Sequence, residues 1–259
     1  MRTIVPVLAL SLASVALAGC PGFEETAYYD QIRWSDDDEQ LAIVELRFEE
    51  APPSDPLMGT TQKRNFRHQL FVSDPDGSNP TPVGDEQPGQ NGAEVYFMRS
   101  QGYVLLTSLN EQGGVEYARV DTGDGTVTAL PAPGFDADPT FALPSPDGTE
   151  IAQIGIDGLD VLVRFFDAAS LEPVADAVTV TLDTTADWTF REDGALVVTD
   201  GTSAKAVRPG EAPTDTDVPT CTNPKTTSSD VSSMGVRVFT EEGEIVTRDE
   251  GAEAAFGCQ

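Results

Sequence analysis

Hydrophobic and polar positions alternate along most of this chain in short runs. Ile32-Arg33-Trp34 is followed by the acidic stretch Ser35-Asp36-Asp37-Asp38-Glu39-Gln40 and then by Leu41-Ala42-Ile43. A second pair follows: Leu70-Phe71-Val72, a turn at Asp74-Pro75-Asp76-Gly77-Ser78-Asn79, and Thr81-Pro82-Val83. Period-two runs bounded by Asp, Gly, Asn and Pro predict strands joined by tight turns. The Ile32–Val83 stretch therefore predicts one four-stranded antiparallel unit.

The same rhythm recurs. An apolar strand follows a turn at Leu41–Ile43, Val104–Leu106, Ile151–Ile154, Leu196–Val198 and Ile245-Val246. An aromatic or apolar strand precedes each turn, at Ile32–Trp34, Val95–Met98, Thr140–Leu143, Trp188–Phe190 and Val236–Phe239. After a longer first gap, the anchors recur at roughly the mid to upper forties of residues, the length a four-stranded propeller blade needs. Turn signals at Asp76-Gly77, Asp124-Gly125, Asp147-Gly148, Asp157-Gly158 and Asp193-Gly194 suit positive φ. The pattern predicts an all-β fold, a β-propeller of four-stranded blades over 27–259, five in number with four or six left open. Thr26–Tyr29 is expected to supply the outer strand missing from the fifth unit and so close the ring.

The longer first gap comes from Glu49–Arg67, expected as an inserted loop that ends Lys63-Arg64-Asn65-Phe66-Arg67-His68. These residues are a basic island in an acidic protein. Lys63, Arg64, Arg67 and His68 are the candidate partner-binding loop, because long loops on rigid scaffolds carry function.

Charge then narrows the partners. There are 44 acidic residues against 15 basic ones, a formal net charge of −29. Such a surface repels phosphate backbones, which excludes nucleic acid as a partner.

The first residues follow a different pattern. Met1-Arg2 precedes an apolar run, Ile4 to Ala18, that is too short to span a bilayer and reads as a signal-peptide core. It ends Leu17-Ala18-Gly19-Cys20, which resembles the bacterial lipoprotein signal. That resemblance implies a signal peptide over 1–19, lipidation of Cys20, a tether over 20–26 and a membrane partner through the lipid. It places the protein in the bacterial cell envelope, with Pro21 after the cysteine pointing to the outer membrane. Two of the three cysteines remain, Cys221 and Cys258, and an even remainder in an oxidising compartment predicts a disulfide between them.

The repeat itself is similar to the TolB-type, WD-repeat-like β-propeller repeat. The first unit carries the matching letters Trp34, Ser35, Asp37, Leu41, Ala42, Phe71, Asp74, Asp76, Gly77, Ser78 and Asn79; the third carries Ser145, Pro146, Asp147, Gly148, Ile151 and Ala152. TolB carries an α/β domain ahead of its propeller for which this chain has no room, so the resemblance implies the fold and not a role in the Tol–Pal system.

Candidate chemistry is sparse. His68 is the one histidine, and no Gly-x-Ser-x-Gly elbow exists, which argues against a serine hydrolase or a transition-metal centre. Asp36, Asp38, Asp74 and Asp76 are weak calcium candidates, set against turn chemistry at the same positions. Trp34, Tyr96, Phe141 and Trp188 offer either sugar platforms or inter-blade packing. No catalytic constellation is recognisable, so the chain is expected not to be an enzyme and to need no cofactor. The expected function is a binding or scaffolding propeller for protein, peptide or glycan. The alternative is an envelope carbohydrate-active enzyme with paired carboxylates in the propeller funnel.

Overall fold

The computed structural model describes residues 23–52, 60–109, 114–131, 138–183, 187–218, 229–231, 236–241 and 244–249. Cys20, Cys221 and Cys258, and with them the signal peptide, the lipidation site and the expected disulfide, lie outside the described residues.

The described strands form antiparallel sheets in sequence order. Sheet 1 contains β1 (Glu24–Trp34), β2 (Leu41–Ala51), β3 (Gln62–Ser73) and β4 (Thr81–Pro88). Sheet 2 contains β5 (Gln90–Met98), β6 (Tyr103–Leu109), β7 (Val115–Asp121) and β8 (Val127–Ala129). Sheet 3 contains β9 (Asp138–Pro144), β10 (Glu150–Asp157), β11 (Asp160–Asp167) and β12 (Val178–Thr181). Sheet 4 contains β13 (Asp187–Phe190), β14 (Leu196–Thr199), β15 (Ala204–Val207) and β16 (Thr214–Asp215). Sheet 5, the last, shows three strands, β17 (Ser229–Val231), β18 (Val236–Glu241) and β19 (Glu244–Asp249), among the described residues.

The sheets pack face to face because each buries both faces. Along β2, Ala42 and Val44 face sheet 2 with Val95, Phe97, Val104 and Leu106, while Leu41 and Ile43 face sheet 5 with Val238. Sheets 2 and 3 meet through Tyr103, Leu105, Ala142 and Ile151, and sheets 3 and 4 through Ile154, Phe165, Leu196 and Val198. Each fully buried Leu or Ile in these layers contributes about 1.5–3 kcal/mol. First strands of neighbouring sheets approach one another: β1 packs on β5 and β17, and β5 on β9. A single parallel bridge joins Ser35 to Phe97.

One turn design repeats between the first and second strands. The residue in the left-handed conformation is Asp38, Gly102, Gly148 and Gly194 in sheets 1 to 4, with φ of 57, 75, 68 and 79°. In sheets 1 and 3 a serine organises the turn. Ser35 Oγ donates to Asp37 Oδ1 at 2.7 Å and Ser145 Oγ to Asp147 Oδ1 at 2.7 Å, while the amides of Gln40 and Glu150 donate back to the serines.

The turns also latch neighbouring sheets together. Asp36 accepts from the backbone N–H and hydroxyl of Ser100, and Arg99 pairs with Asp37, which ties sheet 1 to sheet 2. Tyr103 donates its hydroxyl to the Gly148 carbonyl at 3.0 Å, which ties sheet 2 to sheet 3. Gly77 lies so close to Ile245 that a Cβ would sit 2.7 Å from its Cγ2, which fits sheet 1 against sheet 5.

Two expectations are corrected here. Thr26–Tyr29 does not complete the last sheet; it pairs with Glu45–Phe48 as the start of β1. Among its described residues the insertion is largely strand, since β2 runs to Ala51 and β3 starts at Gln62, so sheet 1 extends as a long three-stranded arm. The physical reason is cross-strand pairing: Glu49 opposes Arg64 and Glu50 opposes Lys63, so charges that look like loop residues form a ladder.

Candidate functional site

The residues singled out by composition lie in paired strands and turns. Lys63, Arg64 and Arg67 lie on β3 and not in a loop, and each is engaged within the arm. Arg64 Nε donates to Glu49 at 2.8 Å and its guanidinium stacks 3.7 Å from the Phe23 ring. Lys63 Nζ sits 4.4 Å from the Phe48 ring. Arg67 pairs with Glu86 at 3.1 Å and Glu25 at 3.5 Å. His68 is buried at 2% exposure against Gly89, and burial pushes its pKa down to about 4. Only at a glycine can the ring approach so closely, because a Cβ there would lie 2.6 Å from Nδ1.

The calcium candidates are likewise committed to turns. Asp36 accepts from Ser100, Asp74 from Ser78 and Asn79, and Asp76 from the amide of Ser78. Asp38 holds the left-handed turn position. These four carboxylates are split between the β1–β2 and β3–β4 turns, and no group of three or more metal-ligating side chains occurs among the described residues. The aromatic candidates pack between sheets. Trp34 lies in the layer between sheets 1 and 5, Tyr96 packs between sheets 2 and 3, and Phe141 and Trp188 meet in a tilted contact, centroids 4.9 Å apart, between sheets 3 and 4.

A different set emerges from burial. On β1, Gln31 is fully buried and neither atom of its amide has a hydrogen-bond partner among the described residues. Gln31 and Arg33 point to sheet 2, on the opposite face of β1 from Ile32 and Trp34, and Arg33 is 7% exposed. Its Nη1 donates to the Ile32 carbonyl at 2.8 Å.

Sheet 2 continues the set on its other face. Glu94 opposes Thr107, and Thr107 opposes Tyr117, so the three form one row across β5, β6 and β7. They share this face with Tyr96, Leu105 and Tyr103, facing sheet 3. Glu94 Oε2, Thr107 Oγ1 and Tyr117 OH are all buried without partners among the described residues. From sheet 3, Gln153 is fully buried, shares the face of Ile151 and donates to the Pro131 carbonyl at 3.1 Å, leaving its own Oε1 unpaired. The preceding residue, Leu130, donates its N–H to the Tyr117 carbonyl.

The electrostatics follow from burial. Desolvation raises the Glu94 carboxyl, and Arg33 opposes that shift. Burial also raises the hydroxyls of Tyr96 and Tyr117, with the Glu94 charge adding to it. The charge acting on Glu94 is that of Arg33, which favours the carboxylate against the desolvation. Buried polar atoms are nearly always hydrogen-bonded, and each exception calls for an occupant or a reason. The arrangement offers acceptors and donors together with aromatic walls, which suits binding of a polar molecule.

An open cleft of about 370 Å³ lies elsewhere, between the turns of sheets 3 and 4, lined by Ser145, Asp147, Thr149, Glu150, Arg208 and Glu211 among others. Its Asp147 serves the Ser145–Asp147 turn, and Arg208 is held by Asp193 at 3.0 Å.

No family model matches the chain, and no curated protein matches it in sequence. Its fold is similar to solved TolB-like β-propellers. TolB from Acinetobacter baumannii is 14% identical with a TM-score of 0.35, over 71% of this chain and 52% of that one. The β-propeller domain of the Trilobed protease from Pyrococcus furiosus is 11% identical with a TM-score of 0.46, over 86% and 69%. An acylaminoacyl peptidase from Pyrococcus horikoshii is 8% identical with a TM-score of 0.46, over 86% and 38%. The chain spans about half the length of that TolB and less of the peptidase. The expectation that the chain is not an enzyme is corrected by these likenesses. They include the acylaminoacyl peptidase, a puromycin hydrolase and the AtxE2 isopeptidase.

Proposed function

We propose that this chain is a lipid-anchored protein of the bacterial cell envelope whose five sheets form the blades of one β-propeller, and that the propeller is a binding module for a protein, peptide or glycan. The ligand site is the polar set on the inner strands, Gln31, Arg33 and Glu94, extended outward by Thr107 and Tyr117. The observation that carries this reading is the set of buried, unpartnered polar atoms of Gln31 on β1, Glu94 on β5, Thr107 on β6 and Tyr117 on β7. Leaving such groups unmatched costs roughly 1–3 kcal/mol each. A ligand that supplies the missing partners recovers that free energy on binding.

The anchor rests on Leu17-Ala18-Gly19-Cys20. Metabolic labelling with an alkyne fatty acid is expected to mark the chain and to fail for Cys20→Ser, which is released into the soluble fraction. Labelling that persists in the variant contradicts lipidation at Cys20.

The binding role is tested with peptide and glycan arrays probed by the chain without its leader, beside Glu94→Gln. Ligands retained by the parent and lost by the variant support the site. Binding that ignores the variant places recognition elsewhere on the protein.

A further inference from the structure

The proposed lipid site and the arm of sheet 1 are close along the chain. Cys20 precedes Phe23 by three residues, and β1 begins at Glu24. Three residues span at most about 11 Å. Phe23 is itself held by the arm, because the Arg64 guanidinium lies 3.7 Å from its ring. A lipid on Cys20 therefore keeps the tip of the arm beside the headgroups.

Strand direction shows which end of the molecule this is. Glu24 opposes Glu50 at the start of β1, and Trp34 opposes Leu41 at its finish, about 30 Å further on. The finish leads into the β1–β2 turn, which is latched to Arg99 and Ser100 after β5, and Tyr103 is latched in turn to Gly148 after β9. These turns share one end, and the arm points to the other. β2 has eleven residues and β10 has eight, so the arm reaches about 10 Å beyond sheet 3.

The chemistry of the arm suits a bilayer surface. Over 24–29, 45–51 and 62–67 the four bases Arg47, Lys63, Arg64 and Arg67 stand beside five glutamates, against 15 bases and 44 acids in the whole chain. Anionic headgroups thus repel the arm far less than the remainder. Lys63 and Arg64 are exposed near its tip. Lys63 Nζ lies over the Phe48 ring, and Arg64 uses Nε for Glu49, which leaves its Nη donors for a phosphate. Tyr28, 42% exposed, stands edge-on to Phe48. Long-stemmed cations beside tyrosine and phenylalanine are the side chains that membrane interfaces hold.

We infer that the tip of the sheet 1 arm docks on lipid headgroups, with Lys63 and Arg64 on the phosphates, and that the β1–β2 and β5–β6 turns face away from the bilayer. This rests on lipidation at Cys20 and adds the surface that meets the membrane.

The test uses the full lipidated chain, labelled with fluorotyrosine, in nanodiscs of phosphatidylethanolamine and phosphatidylglycerol that carry a gadolinium-chelate lipid. Tyr28→Phe and Tyr103→Phe assign the two 19F signals. Tyr28 is expected to be broadened several-fold more than Tyr103, which sits at the latched end. A flexible Gly/Ser segment inserted between Gly22 and Phe23 then separates docking from tethering. Docking predicts that Tyr28 stays broadened in the lengthened chain, because the anchor still keeps the arm at high effective concentration. Lys63→Gln with Arg64→Gln in that chain is expected to relieve the broadening at least twofold, and about 1 M NaCl to do the same without any substitution.

Equal broadening of Tyr103 and Tyr28 in the parent overturns the orientation. Loss of the Tyr28 effect on lengthening alone, or its persistence in both the glutamine pair and high salt, overturns the docking. In each of these cases lipidation at Cys20 stands. If the chain carries no lipid and stays off the discs, both readings fall.

Discussion

Asp38 occupies a position that three other sheets give to glycine. Its φ of 57° matches those of Gly102, Gly148 and Gly194. An L-residue in this region is strained, though less so for aspartate than for most. Asp38→Gly is expected to stabilise the protein by about 0.5–1 kcal/mol in urea unfolding. A loss of stability would mean that the Asp38 side chain contributes more than its backbone costs. His68 makes a second residue-scale prediction. Its pKa falls from 6.5 to about 4 in the folded protein, so the unfolded chain binds the proton more readily. Its contribution is complete above about pH 6.5 and is lost as pH falls towards 4, amounting to about 3 kcal/mol. His68→Gln should flatten stability between pH 7 and 4 relative to the parent; an unchanged slope would assign the acid sensitivity to other groups. The turn residues were legible because each has a local job: Ser35, Asp37, Ser145 and Asp147 bond within five residues of themselves. The buried state of His68 was not, because it depends on Gly89, some twenty residues away and in the connection to the next sheet.

At the scale of elements, the arm of sheet 1 shows where charge misleads. Lys63, Arg64 and Arg67 look like a solvated basic loop, yet strand pairing sets them opposite acids. Arg47 and Arg67 are an exception, since they face each other directly across β2 and β3. Glu86 on β4 reaches both, at 3.6 Å and 3.1 Å, and offsets the like-charge pair. Glu86→Gln is expected to destabilise by roughly 0.5–1 kcal/mol at low salt, discounted because these side chains are about one-third exposed, and by less in 1 M NaCl. A salt-independent change would show that Glu86 acts through packing. The strands themselves were well signalled by the alternation of Leu41–Ile43, Val104–Leu106 and Ile151–Ile154, whose two faces bury against two different sheets. The polar row was not signalled. Glu94, Thr107 and Tyr117 lie on three strands, each ordinary in its own segment, and only register brings them together. Thr107 offered the one clue, a polar residue at a core-facing position in Tyr103-Val104-Leu105-Leu106-Thr107.

Over the whole molecule, repetition accounts for the architecture and departures from it account for the proposed function. Sheets 2, 3 and 4 follow the repeat closely. Sheet 1 departs through its long arm, whose charges are satisfied internally. The inner faces depart through buried polar groups that nothing in the described protein satisfies. The two departures make competing claims on a ligand, and four of the five tyrosines report on both. Tyr117 belongs to the polar row and Tyr96 shares its face, Tyr28 lies exposed on the arm beside Phe48, and Tyr103 is bonded to Gly148. The decisive measurement is a 19F NMR titration of the protein labelled with fluorotyrosine, using a glycan or peptide retained on the arrays, with Tyr→Phe variants assigning each signal. The account predicts that the Tyr117 and Tyr96 resonances shift on saturation while that of Tyr28 stays in place. A shift confined to Tyr28, with Tyr96 and Tyr117 unmoved, would contradict it and place recognition on the arm.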